Sequence, residues 1–218
     1  MKTCPDIDTF TVPGNHDVGK KNMHPAGWLG YEKQFMESYF YFEVGQRVFI
    51  GLDSEVYKQS YDVATEKRQE QSQWLKTLLA RLPKTQPKTV FMHTPLFIED
   101  HNEIASAEEG KTCDYKKINT SFQSLGESVP IEQRFYLLDL FAENNVDTVF
   151  SGHTHFESVP PPYRGVQQLV LTSINYLGTW HSTESGKSYG PEFGNNDNAY
   201  YIVEVNGSRL PRITKHLL

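Results

Sequence analysis

The sequence has only two cysteines in 218 residues, Cys4 and Cys113, and they stand in unrelated contexts. They form neither a C-x-x-C pair nor the framework of a disulfide-stapled domain, which points to a reducing compartment and a cytoplasmic location. Positive charge is not in excess either, since 21 Lys and Arg face 27 Asp and Glu for a net charge of −6. Nucleic-acid and anionic-membrane surfaces need a positive field, so neither is an expected partner. No stretch approaches the roughly 18 apolar residues of a membrane helix, and residues 1–10 lack the apolar centre of a secretory leader. The Asn-x-Ser sequons at Asn119 and Asn206 would matter only in a secreted chain.

What is present suits a folded protein that handles a small soluble substrate. Hydrophobic residues make up 38% of the chain and aromatics 13%, enough for a core. The length fits one domain, residues 1–218, better than two thin ones.

Along the chain, residues 8–13 (DTFTVP) predict a short strand closed by Pro13-Gly14, with Asn15, His16 and Asp17 on the loop leaving it. The aromatic and branched runs on either side of Gly45-Gln46 predict a hairpin, the second run lying deeper in the sheet. Between these, residues 17–40 read as a polar loop. Residues 66–82 place Trp74, Leu75, Leu78, Leu79 and Leu82 at helical spacing before Pro83. Residues 88–93 predict a strand ending in His93, with Pro95 preventing its continuation. Residues 99–129 have no periodicity and read as a surface insertion. A helix over 130–145, entered at Pro130 and left at Asn145, precedes a strand that runs into Ser151-Gly152-His153-Thr154-His155. A strand over 166–172, a loop over 173–197 and a hairpin around Asn206-Gly207 complete an α/β, mixed α+β, pattern.

Three strand exits therefore carry chemistry-bearing side chains: Asn15, His16 and Asp17, then His93, then His153 and His155. Open α/β folds place ligands where strand exits converge. Neutral imidazoles and a carboxamide oxygen suit zinc, manganese or ferrous iron. Alternation on an extended chain would send His153 and His155 to opposite sides, and Gly152 is expected to relax the backbone so that both face one site. Taken singly, each residue has a blander reading: His93 as a core histidine, Asn15 and Asp17 as turn and cap residues, His153 and His155 as a polar turn. Their common order along the chain argues for the site. His24, His101, His181 and His216 have no such support and are expected on the surface, His181 in GTWHS being the one candidate among them for lining a pocket.

GNHD at 14–17, FMHTPLF at 91–97 and SGHTH at 151–155, in that order and each after a strand-like run, resemble the calcineurin-like metallophosphoesterases. The LDS that ends the aromatic hairpin and the Q-x-x-W-L of the following helix are similar too. The resemblance implies a metallophosphatase-like αββα sandwich. It implies that Asn15, His93 and His153 ligate one metal and His155 a second. His16 would be the general acid facing the substrate phosphate, oriented by Asp17. Two divalent ions (Fe, Zn or Mn) would hold a hydroxide and clamp the phosphoryl oxygens of a phosphoprotein or small phosphate ester. The family pattern also has an Asp-x-His and a Gly-Asp ahead of G-N-H-D, and neither stands among the thirteen residues before Gly14. The expectation is an N-terminally truncated domain lacking its first strands, with one metal or none tightly held. Two other activities stay open: a catalytically inactive binding module and a phosphodiesterase.

Overall fold

The computed structural model describes residues 8–19, 24–58, 62–103, 128–174, 180–181, 188–189, 198–205 and 211–217. Its centre is a five-stranded mixed sheet in the order β1-β2-β3-β4-β5. β1 (Phe40–Val44) and β2 (Arg47–Leu52) form the expected antiparallel hairpin, turning at Gly45, whose φ of 60° favours glycine. β3 (Lys88–Met92), β4 (Val146–Ser151) and β5 (Gln167–Val170) then add in parallel. Parallel neighbours need crossovers. Here α3 (Glu55–Lys58) and α4 (Asp62–Arg81) join β2 to β3, and α5 (Ile131–Glu143) joins β3 to β4. The α/β class read from the sequence is the class observed.

The two faces of the sheet differ chemically because side chains alternate along each strand. Val48, Ile50, Leu52, Val90, Met92, Val146 and Val149 share one buried cluster with Leu75, Leu78 and Leu79 of α4 and with Leu137, Leu138 and Phe141 of α5. The opposite face carries a row of stacked rings, Phe42, Phe49, Phe91 and Phe150, with centroids 5.1, 5.9 and 5.4 Å apart.

Val146 and Val149 lie three residues apart yet share a face, which a regular strand forbids. Lys88 pairs with Val146 but Thr89 pairs with Thr148, so Asp147 is an extra residue in β4. Its carboxylate is held by the fully buried guanidinium of Arg47, with Nη1 2.7 Å from Oδ1 and Nη2 2.8 Å from Oδ2. Nη1 also donates to Thr89 Oγ1 at 2.9 Å. One ion pair thus fastens β2, β3 and β4 at the ends where they enter the sheet. Beside it the buried Lys88 ammonium donates to three carbonyls, those of Pro83, Gln86 and Asn144, at 2.8 to 2.9 Å.

Several expectations are corrected. Residues 8–14 form no strand, because no ladder partner stands beside them among the described residues; Phe10 is held by its ring, 4.1 Å from that of Phe42. The G-N-H-D motif opens a helical turn, α1 (Asn15–Val18), rather than a loop. The 17–40 stretch holds a further helix, α2 (Pro25–Phe35), with Pro25 at its first position, where a missing N–H costs nothing. His24 accepts from Ala26 N at 3.1 Å and so caps that helix. α4 starts four residues before the expected boundary. α5 ends at Glu143, two residues before the expected boundary, with Asn144 as its cap and Asn145 taking φ 57° just beyond.

The 173–197 stretch contains two short paired strands, β6 (Trp180–His181) and β7 (Ser188–Tyr189). The final hairpin pairs β8 (Ala199–Glu204) with β9 (Arg212–Leu217), Glu204 standing opposite Arg212; Asn206-Gly207, where its turn is expected, lies outside the described residues. Cys4, Cys113, Asn119 and residues 104–127 of the insertion lie outside them as well. The two ends of the insertion meet on Arg134 of α5, whose guanidinium donates to the carbonyls of His101, Glu103 and Val129. No helix among the described residues is long and apolar enough to cross a membrane.

Breaking the Arg47–Asp147 pair on one side strands a buried charge. Asp147→Ala is expected to lower the denaturant-unfolding free energy by about 3–5 kcal/mol, while the apolar double replacement Arg47→Met with Asp147→Leu loses far less. Equal losses in the single and double variants would refute the account.

Candidate metal and phosphate site

The strand register decides what meets at the opposite end of the sheet. Phe91 pairs with Phe150, so Met92 lies level with Ser151 and His93 with Gly152; the ladder runs one step further, Gly152 N donating to His93 O at 2.9 Å. The exit of β2 is tied to the same level. Thr94 N donates to Ser54 Oγ at 2.8 Å, and Thr94 Oγ1 to Glu55 Oε1 at 2.6 Å. Ser54 and Glu55 are wholly buried, as is Asp53, whose carboxylate accepts from Trp28 Nε1 and Glu55 N. Burial, reinforced by the Glu55 carboxylate, pushes Asp53 up to about 8.

α1 delivers Asn15 from the other side. Gly14 caps it without a side chain, and the Asp17 carboxylate reaches back to accept from Gly14 N at 2.8 Å. Asp17 thereby fixes the turn that carries His16 and makes no direct bond to the His16 ring. Gly14 is required for a second reason. A Cβ there would lie 2.9 Å from His93 Cε1 and 3.0 Å from each ring nitrogen.

At the centre, His93 Nε2 lies 3.1 Å from Asn15 Oδ1 and 3.0 Å from His153 Nδ1. His153 Nε2 in turn lies 3.0 Å from Lys58 Nζ. His153 and His155 both adopt left-handed backbone, φ 68° and 60°. This is uncommon for a residue with a Cβ and is found where surrounding structure enforces it. The turn that departs from strand alternation is therefore built at the histidines themselves. Gly152, expected to supply it, has no positive φ, and a Cβ there would meet nothing. His16 is exposed at the rim, close enough to act electrostatically on both His93 and His155.

Burial, with the Lys58 cation as second cause, holds His93 down to about 4. Burial also lowers His155, with His16 contributing. Both rings are thus biased toward the neutral, lone-pair-bearing form that a metal needs.

Proton bookkeeping tests whether the donor set fits a cation. An ammonium only donates, so a bond from Lys58 puts the His153 proton on Nδ1, from where it points at His93 Nε2. His93 Nε2 must then accept, and with the Asn15 amide as oriented two lone pairs face each other at 3.1 Å. Moving the proton to His93 Nε2 satisfies Asn15 but puts an N–H of His153 against the ammonium. No neutral tautomer assignment serves all three contacts. A divalent ion does, because ligands about 2.1 Å from a metal at right angles lie about 3.0 Å apart. The residues fit one such ion. Among the described residues no three His, Cys, Asp or Glu side chains gather to hold a metal, so this cluster consists of two histidines and a carboxamide. His155 contributes at most one group to a second position.

The structure therefore brings Asn15, His93 and His153 into contact, with His155 and His16 adjacent and Asp17 in the supporting turn. His181 has no described side chain, and His101 and His216 sit apart against aromatic rings, those of Phe97 and Tyr200 among them. Sequence reading missed Lys58 and Glu55, and it noted Asp53-Ser54 within LDS as a likeness without giving them a role. The available signal was a strand apolar from Val48 to Leu52 that ends abruptly in three polar residues.

These features define an α/β protein with a histidine-carboxamide cluster at its parallel strand exits. The calcineurin-like phosphoesterase family profile matches residues 2–157, and the chain belongs to that family. Membership brings divalent metals and phosphate-ester hydrolysis as family properties. Solved structures similar to this chain include the purple acid phosphatase PPD1 from yellow lupin (Lupinus luteus) seeds, at 16% identity and TM-score 0.47 over 88% of this chain. GAP50, the anchor in the inner membrane complex of Plasmodium, is another, at 15% identity and TM-score 0.40 over 84%. This chain spans 35% and 54% of their respective lengths. No curated protein matches it.

Two consequences can be measured. In metal-free protein the folded His93 titrates below its ordinary value of 6.5, so between pH 6.5 and about 4 the unfolded chain binds a proton that the folded chain does not. Stability should fall as pH drops through that window, by on the order of 1.4 kcal/mol per pH unit from this group, and His93→Gln should flatten the slope; an unchanged slope in His93→Gln would rule out the assignment. Separately, Gly14→Ala should displace the His93 ring, visible as a shift of its Cε1–H resonance, whereas Gly152→Ala should leave that resonance in place.

Proposed function

We propose that this chain is a metal-dependent phosphomonoesterase acting on a phosphoprotein or small phosphate ester. The observation that carries the reading is the convergence of Asn15 Oδ1, His93 Nε2 and His153 Nδ1 within 3.1 Å, in an arrangement that no neutral tautomer assignment reconciles with the Lys58 ammonium. These three would hold a divalent ion, and His155 would contribute to a second. Such ions supply Lewis-acid polarisation of phosphoryl oxygens and lower the pKa of water. Burial keeps the His93 lone pair available at neutral pH. Gly14 lets α1 approach the His93 ring closely enough to bring Asn15 into the set.

His16, exposed at the rim one residue from Asn15, would hold the proton that passes to the leaving alkoxide oxygen. Asp17 would act through the turn, fixing its first peptide rather than the ring. The negative net charge favours a small or peptide phosphate over a polynucleotide.

One observation favours a second reading, a metallophosphatase-like binding module. Among the described residues no carboxylate joins the histidine cluster, and a carboxylate would offset the ionic charge and raise affinity. Metal analysis and turnover separate the two. Chelator-stripped protein reloaded with Mn²⁺ should hydrolyse an aryl phosphate, a monoester faster than the matching diester, and His16→Ala should lower kcat by about 10²- to 10⁴-fold at unchanged metal content. Bound metal without turnover would abandon the enzyme in favour of the binding module, and a faster diester would favour a phosphodiesterase.

A further inference from the structure

Lys58 belongs to none of the sequence motifs, yet its ammonium reaches the centre of the cluster. It stands at the end of α3, whose preceding residues Glu55, Val56 and Tyr57 are buried, while Lys58 itself is half-exposed. Its Nζ lies 3.0 Å from His153 Nε2. That contact is compatible only with a His153 whose proton sits on Nδ1, the nitrogen that faces His93 and Asn15. When Nδ1 gives its lone pair to a cation, the proton must reside on Nε2, and an N–H then confronts the ammonium. Coulomb repulsion between the incoming cation and Lys58 acts in the same direction. The lysine must leave His153, but its stem rises from a helical turn anchored by three buried residues, so its ammonium stays at the rim of the cluster.

We propose that Lys58 is a substrate-binding residue, which gives up His153 when a metal is loaded and takes the anionic oxygens of the phosphoryl group instead. The inference rests on the metal-site reading above. It assigns the site a preference: a phosphate monoester carries two negative charges near neutral pH and a diester one, so an added ammonium favours the monoester. Lysine suits this exchange because it is a flexible point charge with three donors, able to swing between partners.

Calorimetric titration of the chelator-stripped chain with Mn²⁺, and then of the loaded chain with inorganic phosphate and with dimethyl phosphate, tests this without relying on turnover. Wild type, Lys58→Met and Lys58→Arg are compared after circular dichroism shows all three folded. Lys58→Met should take up Mn²⁺ at least as tightly as wild type, since a repelling charge is gone. It should bind phosphate about tenfold or more weakly, bind dimethyl phosphate with little change, and recover part of the phosphate affinity as Lys58→Arg. Equal phosphate affinity in wild type and Lys58→Met at equal Mn²⁺ content would overturn the role of Lys58 and leave the metal reading standing. Failure of wild type to take up Mn²⁺ would overturn both.

Discussion

Asp147 is one residue too many for its strand, and the guanidinium of Arg47 holds it there from two strands away. Without that bulge Thr89 would pair with Asp147, every later pair between β3 and β4 would slip by one, and His93 would stand level with Ser151 instead of Gly152. A one-residue slip also turns each side chain to the other face of the sheet. Val149 would leave the helix-packed core and Phe150 would leave the aromatic row. The ion pair is therefore a register device. It lies at one end of the sheet and sets the alignment of side chains at the other.

Burying that pair is costly unless its geometry is excellent, because two charges lose their water. Here the bond is bidentate, and two hydroxyls add to it, Thr89 Oγ1 accepting from Arg47 Nη1 and Thr148 Oγ1 donating to Asp147 Oδ1. Lys88 solves a similar problem with three backbone carbonyls and Arg134 with three more. All three cations occupy joints, at the strand entrances or at the base of the insertion, where loops converge and carbonyls lack ladder partners. Charge at these joints holds connections in place. At the strand exits the logic reverses: Asn15, His93, His153 and Lys58 face one another in contacts that no single neutral tautomer assignment serves, and the fold holds them together from outside through Ser54, Glu55, Thr94 and Gly14.

How much of this the sequence disclosed follows from how local each determinant is. The hairpin at Gly45, the α4 stripe and the exits at His93 and Ser151 rest on short-range patterns, and they stand where the pattern put them. Asn15, His93 and His153 were legible as one site because each follows an apolar strand or a glycine turn, and parallel strands bring their exits together. The first predicted strand failed for a non-local reason. DTFTVP has strand-like residues, but a strand exists only beside a partner, and Phe10 is held by ring stacking instead. α2 was hidden by a histidine cap in place of the usual Ser, Thr, Asp or Asn. The bulge and Lys58 had no sequence signal, since each is defined by residues tens of positions away.

The left-handed backbone at His153 and His155 shows why the site belongs to the fold rather than to its motif alone. Two such residues two positions apart each cost on the order of 1–3 kcal/mol and persist only where the surroundings over-determine them. The surroundings here are specific. Gly152 N is bonded to His93 O and Thr154 N to Gly152 O; the Thr154 side chain is buried and bonds to Phe156 O, and Ser158 pairs with Val170. The turn is thus anchored on both sides by the sheet while its two histidines are free of the alternation that would separate them. A glycine at either position would relieve the strain and remove the imidazole, so the chain keeps the strain. The strained turn thereby sets His153 Nδ1 against His93 Nε2, which also faces Asn15 Oδ1, and that donor set fits a divalent ion.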